Sequence, residues 1–284
     1  MTLTLNACAK LNLYLDITGR RSDGYHLLET VMQSVSLSDI VTLSVTGGSG
    51  ISVSCSDPLI PCGEKNIAYR AAALFLEACG IERHVEIDIQ KRIPSGAGMG
   101  GGSADAAAVL RGLDRALGAP LDTGRLYEIA LQCGADVPFC LYGGTRICRG
   151  IGEELSSCCE VSGCAFLVVM PDFTCPTGEA YRKYDSAPVA ARGMLPQFVR
   201  DVECGRFASC MYNVFEELYG DERISDIRKT LTDAGACGAA LTGSGAAVFG
   251  VFDGEAAASE AAKLFPTYFT SVCGPMKESI IILT

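Results

Sequence analysis

The stretch Pro94-Ser95-Gly96-Ala97-Gly98-Met99-Gly100-Gly101-Gly102-Ser103-Ala104-Asp105 decides how this chain is read. It sets five glycines within seven residues, behind an alternating apolar run and ahead of an alanine-rich segment. Glycine turns through positive φ and lets a ligand approach the backbone with no Cβ in the way. Free N–H groups feeding a helix N-terminus attract anions, because unpaired donors and the helix dipole point the same way. The stretch predicts a phosphate cradle built from Pro94, Gly96, Gly98, Gly100, Gly101, Gly102 and Ser103. A plain hairpin would not need so many glycines.

Two phosphate motifs compete for these residues. Gly96, Gly98 and Gly101 satisfy G-x-G-x-x-G, but that fingerprint follows a buried parallel strand with a nearly continuous apolar run. Here His84–Lys91 puts Val85, Ile87 and Ile89 on one face and Glu86, Asp88 and Gln90 on the other, which predicts a half-exposed antiparallel strand. Arg92-Ile93-Pro94 also separates that strand from the first glycine, which argues against a nicotinamide-dependent oxidoreductase. The P-loop spacing runs from Gly96 to Ser103 with Gly102 where the lysine belongs, so the cradle is expected to work through backbone amides. Ser103 is the expected N-cap of the next helix, its hydroxyl within reach of a phosphate oxygen or a Mg²⁺ ion. Leu110, Leu113 and Leu117 fall on one face of that helix, and Gly118 and Pro120 end it.

At 284 residues the chain is long enough for two domains, with a boundary expected near Glu153: residues 1–152 and 153–284. A net charge of −10 and a pI near 4.8 speak against nucleic-acid or anionic-membrane partners. No apolar run approaches a membrane span of about 18 residues, and the first residues do not read as a secretory leader. Fifteen cysteines, an odd number without a C-x-x-C pair, accompany only two histidines. That pattern favours neither a disulfide framework nor a zinc site, and the expected home is a reducing cytoplasm.

The remaining pattern is α+β. A hairpin is expected from 37–45 and 50–54 around Gly47–Gly50, and helices over 66–79, 122–133, 202–218, 223–234 and 255–264. Strands are expected over 164–170, 238–241, 246–252 and 280–283. Within this frame stand further polar clusters. In Ala9-Lys10-Leu11-Asn12-Leu13-Tyr14-Leu15, Lys10, Asn12 and Tyr14 share a strand face, where the lysine and the amide could bind a hydroxyl or phosphate, but the segment reads more simply as a solvated edge strand. Tyr25 and His26 follow a turn at Arg21–Gly24, where a ring could stack on a base. Asp136 precedes Pro138 at a helix start, the position of an ordinary cap. Thr242-Gly243-Ser244-Gly245 joins two apolar segments as a tight hairpin or as a second loop over a site.

Taken in order, Ala9–Leu13, Asp23–His26, Gly96–Ser103, Gly134–Pro138 and Leu241–Gly245 resemble the galactokinase, homoserine kinase, mevalonate kinase and phosphomevalonate kinase (GHMP) superfamily over essentially the whole chain. The Lys-Leu-Asn and Asp-Gly-Tyr-His motifs are similar to the branch whose acceptor is 4-diphosphocytidyl-2-C-methyl-D-erythritol. The resemblance implies an N-terminal ribosomal-protein-S5-like ATP-binding domain and a ferredoxin-like C-terminal domain. It implies transfer of a phosphoryl group from ATP, with Mg²⁺, to the 2-hydroxyl of that alcohol, in non-mevalonate isoprenoid synthesis. By position it makes Asp136 the base and Lys10 its partner, with Asn12 and Thr177 on the acceptor. Tyr25 and Tyr181 would sandwich the cytosine, His26 would read its edge, and Asn66 and Lys91 would lie near the nucleotide. Relatives often carry phenylalanine for Tyr181 and asparagine for Asp105. The extra negative charge at Asp105 is expected either to weaken ATP binding or to help hold the metal. The expected assembly is a monomer or weak homodimer. A sister kinase for homoserine or mevalonate and a silent ATP-binding regulator are the alternatives.

Overall fold

The computed structural model describes residues 1–218 and 221–284. Its frame is a pair of long antiparallel strands, β1 (Thr2–Arg20) and β2 (His26–Thr46), joined by the turn at 21–25. After β3 (Gly50–Cys55) the chain runs through helix α1 (Ile67–Cys79) to β4 (His84–Gln90). The glycine-rich stretch follows and leads into α2 (Gly101–Ala116), then α3 (Thr123–Cys133) and α4 (Val137–Tyr142). Strands β5 (Thr145–Arg149) and β6 (Glu154–Ser157) return to the same sheet. Its central order is β13-β1-β2-β4-β3, where β13 (Ile280–Ile282) is the last strand of the chain.

The second sheet begins with β7 (Ala165–Met170), every residue of which is buried. Helices α5 (Thr177–Ser186) and α6 (Leu195–Glu203) and the short β8 (Tyr212–Asn213) come next. Helix α7 (Glu222–Asp233), the hairpin β9 (Gly238–Leu241) and β10 (Val248–Phe252), helix α8 (Glu255–Ala262) and β11 (Phe269–Cys273) complete it. The strand order β11-β7-β10-β9 with these helices is the β-α-β-β-α-β arrangement of a ferredoxin-like layer. The short β12 (Pro275–Met276) then pairs with β2.

Several expectations change. Residues 47–49 do reverse the chain, but β2 and β3 do not pair; β4 lies between them, antiparallel to β2 and parallel to β3. The alternation of β4 is seen in its burial, with Val85, Ile87 and Ile89 inside. The segment 9–15 is no solvated edge, because it pairs with β2, β8 joins it at Tyr14 and Leu15, and both Lys10 and Asn12 are buried. The helix expected over 202–218 is broken. Gly205 turns through positive φ after α6, and the buried Asn213 side chain caps a short turn at Val214–Glu217 by accepting the Phe215 N–H. Ser103 is not the N-cap; Gly100, at φ 70°, takes that place and Ser103 lies within the first turn. The sheets also do not divide at residue 152, since β6, β8, β12 and β13 all join the large sheet.

Candidate active site

Two loops interlock over the start of α2. Gly98 and Gly243 both have positive φ, and a Cβ on Gly98 would overlap the Thr242 carbonyl. A Cβ on Gly243 would stand 2.6 Å from Gly98 O. The expected hairpin at 242–245 is therefore also the second loop of the site. Backbone bonds fasten the layers: Lys10 N–H donates to Met99 O at 3.0 Å and Ala247 N–H to Ala97 O at 3.3 Å.

Asn12 organises the junction. Its Oδ1 accepts Lys10 Nζ at 2.6 Å and Gly243 N–H at 2.9 Å, while its Nδ2 donates to Thr30 Oγ1 at 2.9 Å. Lys10 Nζ also donates to Gly98 O at 2.8 Å and stands 3.9 Å from Asp136 Oδ2. The β-bulge between Asn12 and Tyr14 turns the tyrosine away, and its hydroxyl donates to Asp16 instead. Asp136 holds the N-cap position of α4 yet makes no capping bond, so its partly exposed carboxylate faces the lysine.

These groups line a cavity of about 690 Å³ that also contains Tyr25, His26, Ser103, Thr177, Tyr181, Gly243 and Ser244. Thr177 and Ser244 hydroxyls meet at 3.1 Å across it. His26 stacks on Tyr181 with ring centroids 4.8 Å apart, and its Nε2 lies 2.8 Å from Asp185 Oδ1. Tyr25 is 59% exposed, whereas Tyr181 is also packed edge-on with Phe215. The structure thus brings Tyr25, His26 and Tyr181 to one wall, with His26 rather than an open slot against Tyr181. Asp185, Arg20 and Arg182 on that wall carry no motif that the sequence alone would single out. Residues 177, 181 and 185 recur every four positions on α5, so Tyr181 and Asp185 share a helix face, and that spacing is the one signal that points to Asp185.

A smaller cavity of about 180 Å³ follows the glycine loop and is lined by Lys91, Pro94 and Gly96 through Gly102. The first N–H groups of α2, at Gly101, Gly102 and Ser103, have no intrahelical acceptor by the geometry of a helix start. Asn66 lines neither cavity: its Oδ1 caps α1 at Ala68 N–H, and its Nδ2 donates to Pro61 O. The side chain of Lys91 is buried and paired with Asp39 and Asp105. Burial disfavours its charge, but the two carboxylates outweigh burial and keep the ammonium protonated to higher pH than usual. Burial pushes the Cys140 thiol far up and the Cys148 thiol to about 12, with Asp136 adding to both, so neither is a nucleophile.

Comparison with known proteins identifies the family. Residues 66–144 match the family pattern of the GHMP kinases N terminal domain, and residues 219–269 match that of GHMP kinases C terminal. The 4-diphosphocytidyl-2-C-methyl-D-erythritol kinase of Clostridium tetani is 41% identical over 88% of this chain and 91% of its own length. The chain belongs to the 4-diphosphocytidyl-2-C-methyl-D-erythritol kinase family. A crystal structure of a 4-(cytidine 5'-diphospho)-2C-methyl-D-erythritol kinase covers 95% of this chain and 99% of its own, with 33% identity and a TM-score of 0.77. A homoserine kinase from Cytophaga hutchinsonii superposes at a TM-score of 0.80 with only 19% identity, over 99% and 97% of the two chains. Fold alone therefore does not separate this family from other GHMP kinases; sequence identity does.

Proposed function

We propose that this chain transfers the γ-phosphoryl group of ATP to the 2-hydroxyl of 4-diphosphocytidyl-2-C-methyl-D-erythritol. The observation that carries the reading is the pair Lys10 and Asp136, 3.9 Å apart, between the glycine loop and the wall of Tyr25, His26 and Tyr181. ATP supplies the phosphoryl group and Mg²⁺ offsets its charge, as GHMP kinases imply. The cradle suits phosphate: the amides of Gly101, Gly102 and Ser103 open a helix, and a Cβ at Gly100 would stand 3.1 Å from Lys10 Cγ. Among the described residues no group of three or more carboxylate, imidazole or thiol side chains could hold a metal ion. Magnesium would then rest chiefly on phosphate oxygens, with Ser103 and Asp136 as the chain's own donors.

In this reading Asp136 accepts the proton as the alcohol oxygen bonds to phosphorus and the bond to the ADP oxygen breaks. Lys10, held in place by Asn12 and Gly98 O, offsets charge on the transferring group. Asn12, Thr177, Tyr25, His26 and Tyr181 form the acceptor side, Tyr25 being the exposed ring that would close on a cytosine. We place the enzyme in the cytoplasm on its fifteen cysteines, an odd number without a C-x-x-C pair.

The test is ADP release with Mg-ATP and each of three alcohols: the cytidine diphosphate alcohol, homoserine and mevalonate. Turnover confined to the first is the expected result. Turnover with homoserine or mevalonate instead would move the chain to a sister specificity, and nucleotide binding without any turnover would favour a silent regulator.

A further inference from the structure

Beneath the glycine loop, three charged side chains are shut away from solvent together. Lys91 Nζ donates to Asp105 Oδ2 at 2.8 Å and to Asp39 Oδ2, and the side chains of Lys91, Asp105 and Asp39 are 7%, 5% and 0% exposed. The other oxygen of Asp39 accepts the backbone N–H of Arg92 at 2.6 Å and of Ile93 at 2.9 Å, the residues that enter the loop. Asp105 lies just past the first turn of α2, where the loop ends. Lys91 Nζ is 3.2 Å from where a Cβ on Gly101 would stand. One buried ammonium therefore ties β2, the loop entry and the loop exit together. The cluster sets two carboxyl groups against one ammonium, and Asp105 Oδ1 has no hydrogen-bond partner among the described residues. Such a cluster does little for stability, since desolvation offsets attraction, but it penalises any backbone arrangement that separates its members.

We propose that Asp39, Lys91 and Asp105 are a positioning triad that sets the shape and local charge of the phosphate cradle, and so governs nucleotide affinity rather than the acceptor site. Lys91 acts through the loop it supports, not as a ligand of the nucleotide. The proposal rests on the ATP reading above.

The experiment titrates Mg-ADP into the full chain by calorimetry, without acceptor, and measures KM for ATP and for the alcohol separately. Lys91→Met and Asp39→Ala should each weaken Mg-ADP about tenfold, the effect of losing one charge-assisted anchor. KM for ATP should rise in parallel and KM for the alcohol should stay within about twofold. Measured at about pH 8, Asp105→Asn keeps an acceptor for Lys91 while removing one negative charge near the phosphates. It should tighten Mg-ADP about threefold at low ionic strength, and added salt should shrink that gain. If Lys91→Met or Asp39→Ala fails to fold, the opposite sign expected of Asp105→Asn still decides the matter. Folded variants with unchanged Mg-ADP affinity, Asp105→Asn weakening it, or both KM values rising together would overturn the triad. Absence of Mg-ADP binding by the unaltered chain would overturn the kinase reading and the triad with it.

Discussion

Gly243→Ala tests whether the contact between the two loops controls catalysis. The new Cβ would stand 2.6 Å from Gly98 O and 3.0 Å from Gly98 Cα, at φ +55°. An ordinary carbon–oxygen contact is about 3.3–3.6 Å, so the loops must part by roughly 0.7–1 Å. Gly98 O is the acceptor of Lys10 Nζ, and Gly243 N–H holds Asn12 Oδ1, so this movement reaches the lysine from two sides. A displacement of about 1 Å in a positioned site can cost 10²-fold, equivalent to about 2.7 kcal/mol of transition-state stabilisation. Left-handed backbone at an alanine adds about 1–2 kcal/mol of destabilisation. Gly80→Ala is the matched control, because Gly80 has φ +63° and a methyl group there would meet nothing within 4 Å. Both variants should melt at lower temperature, Gly243→Ala by more because the clash adds to the shared φ strain, while only Gly243→Ala should lose about 100-fold in kcat/KM for ADP release. Equal activity in the two variants would refute the argument that loop contact sets the Lys10 geometry.

Other substitutions probe the remaining parts. Asp136→Asn should lose about 10²–10⁴ in kcat with an unchanged melting curve, because the carboxylate caps nothing; near-normal turnover in the folded variant would remove it from the base role. Asn12→Ala should lower both stability and rate, since its side chain joins Lys10, Thr30 and Gly243; a drop in rate alone, in thermal melts run beside kinetics, would contradict that dual role. Burial, opposed by Lys91 and aided by Asp39, pushes the Asp105 carboxyl up to about 7. The folded chain then keeps a proton that the unfolded chain loses above about pH 4. Stability from this group is full below that pH and is lost as pH rises through about 7. Asp105→Asn should therefore narrow the difference between melting temperatures at pH 5 and pH 8, and an unchanged difference would count against this titration. Tyr181→Phe should leave KM for the cytidine alcohol nearly unchanged and Tyr181→Ala should raise it about tenfold, because the ring's stacking with His26 is the contact at stake.

The local signals in this sequence are strong where one stretch of chain settles its own structure. The helix caps at Asn66, Asp122 and Gly80 and the alternation of 84–90 need only neighbouring residues, and all appear in the structure. Asp39 carries a signal of the same kind: it shares the odd-numbered, inward face of β2 with Val41, Leu43 and Val45. Asp105 likewise lies on the buried side of α2 with Val109 and Leu113. Other features have no local cause. The insertion of β4 between β2 and β3, and the return of β13 to β1, are choices among strand partners of similar chemistry. The broken segment 202–218 follows from Asn213 reaching the carbonyls of Leu241 and Gly243, at 2.8 and 2.9 Å, across the second loop. By itself the sequence determined the glycine-rich loop and the family, because motif spacing and backbone freedom are local properties. Only the tertiary structure decided that Lys10 is held by Gly98 O against Asp136, and that Lys91 is enclosed by Asp39 and Asp105, because those partners lie about 14 to 126 residues away along the chain and meet only when the sheet and the loops pack together.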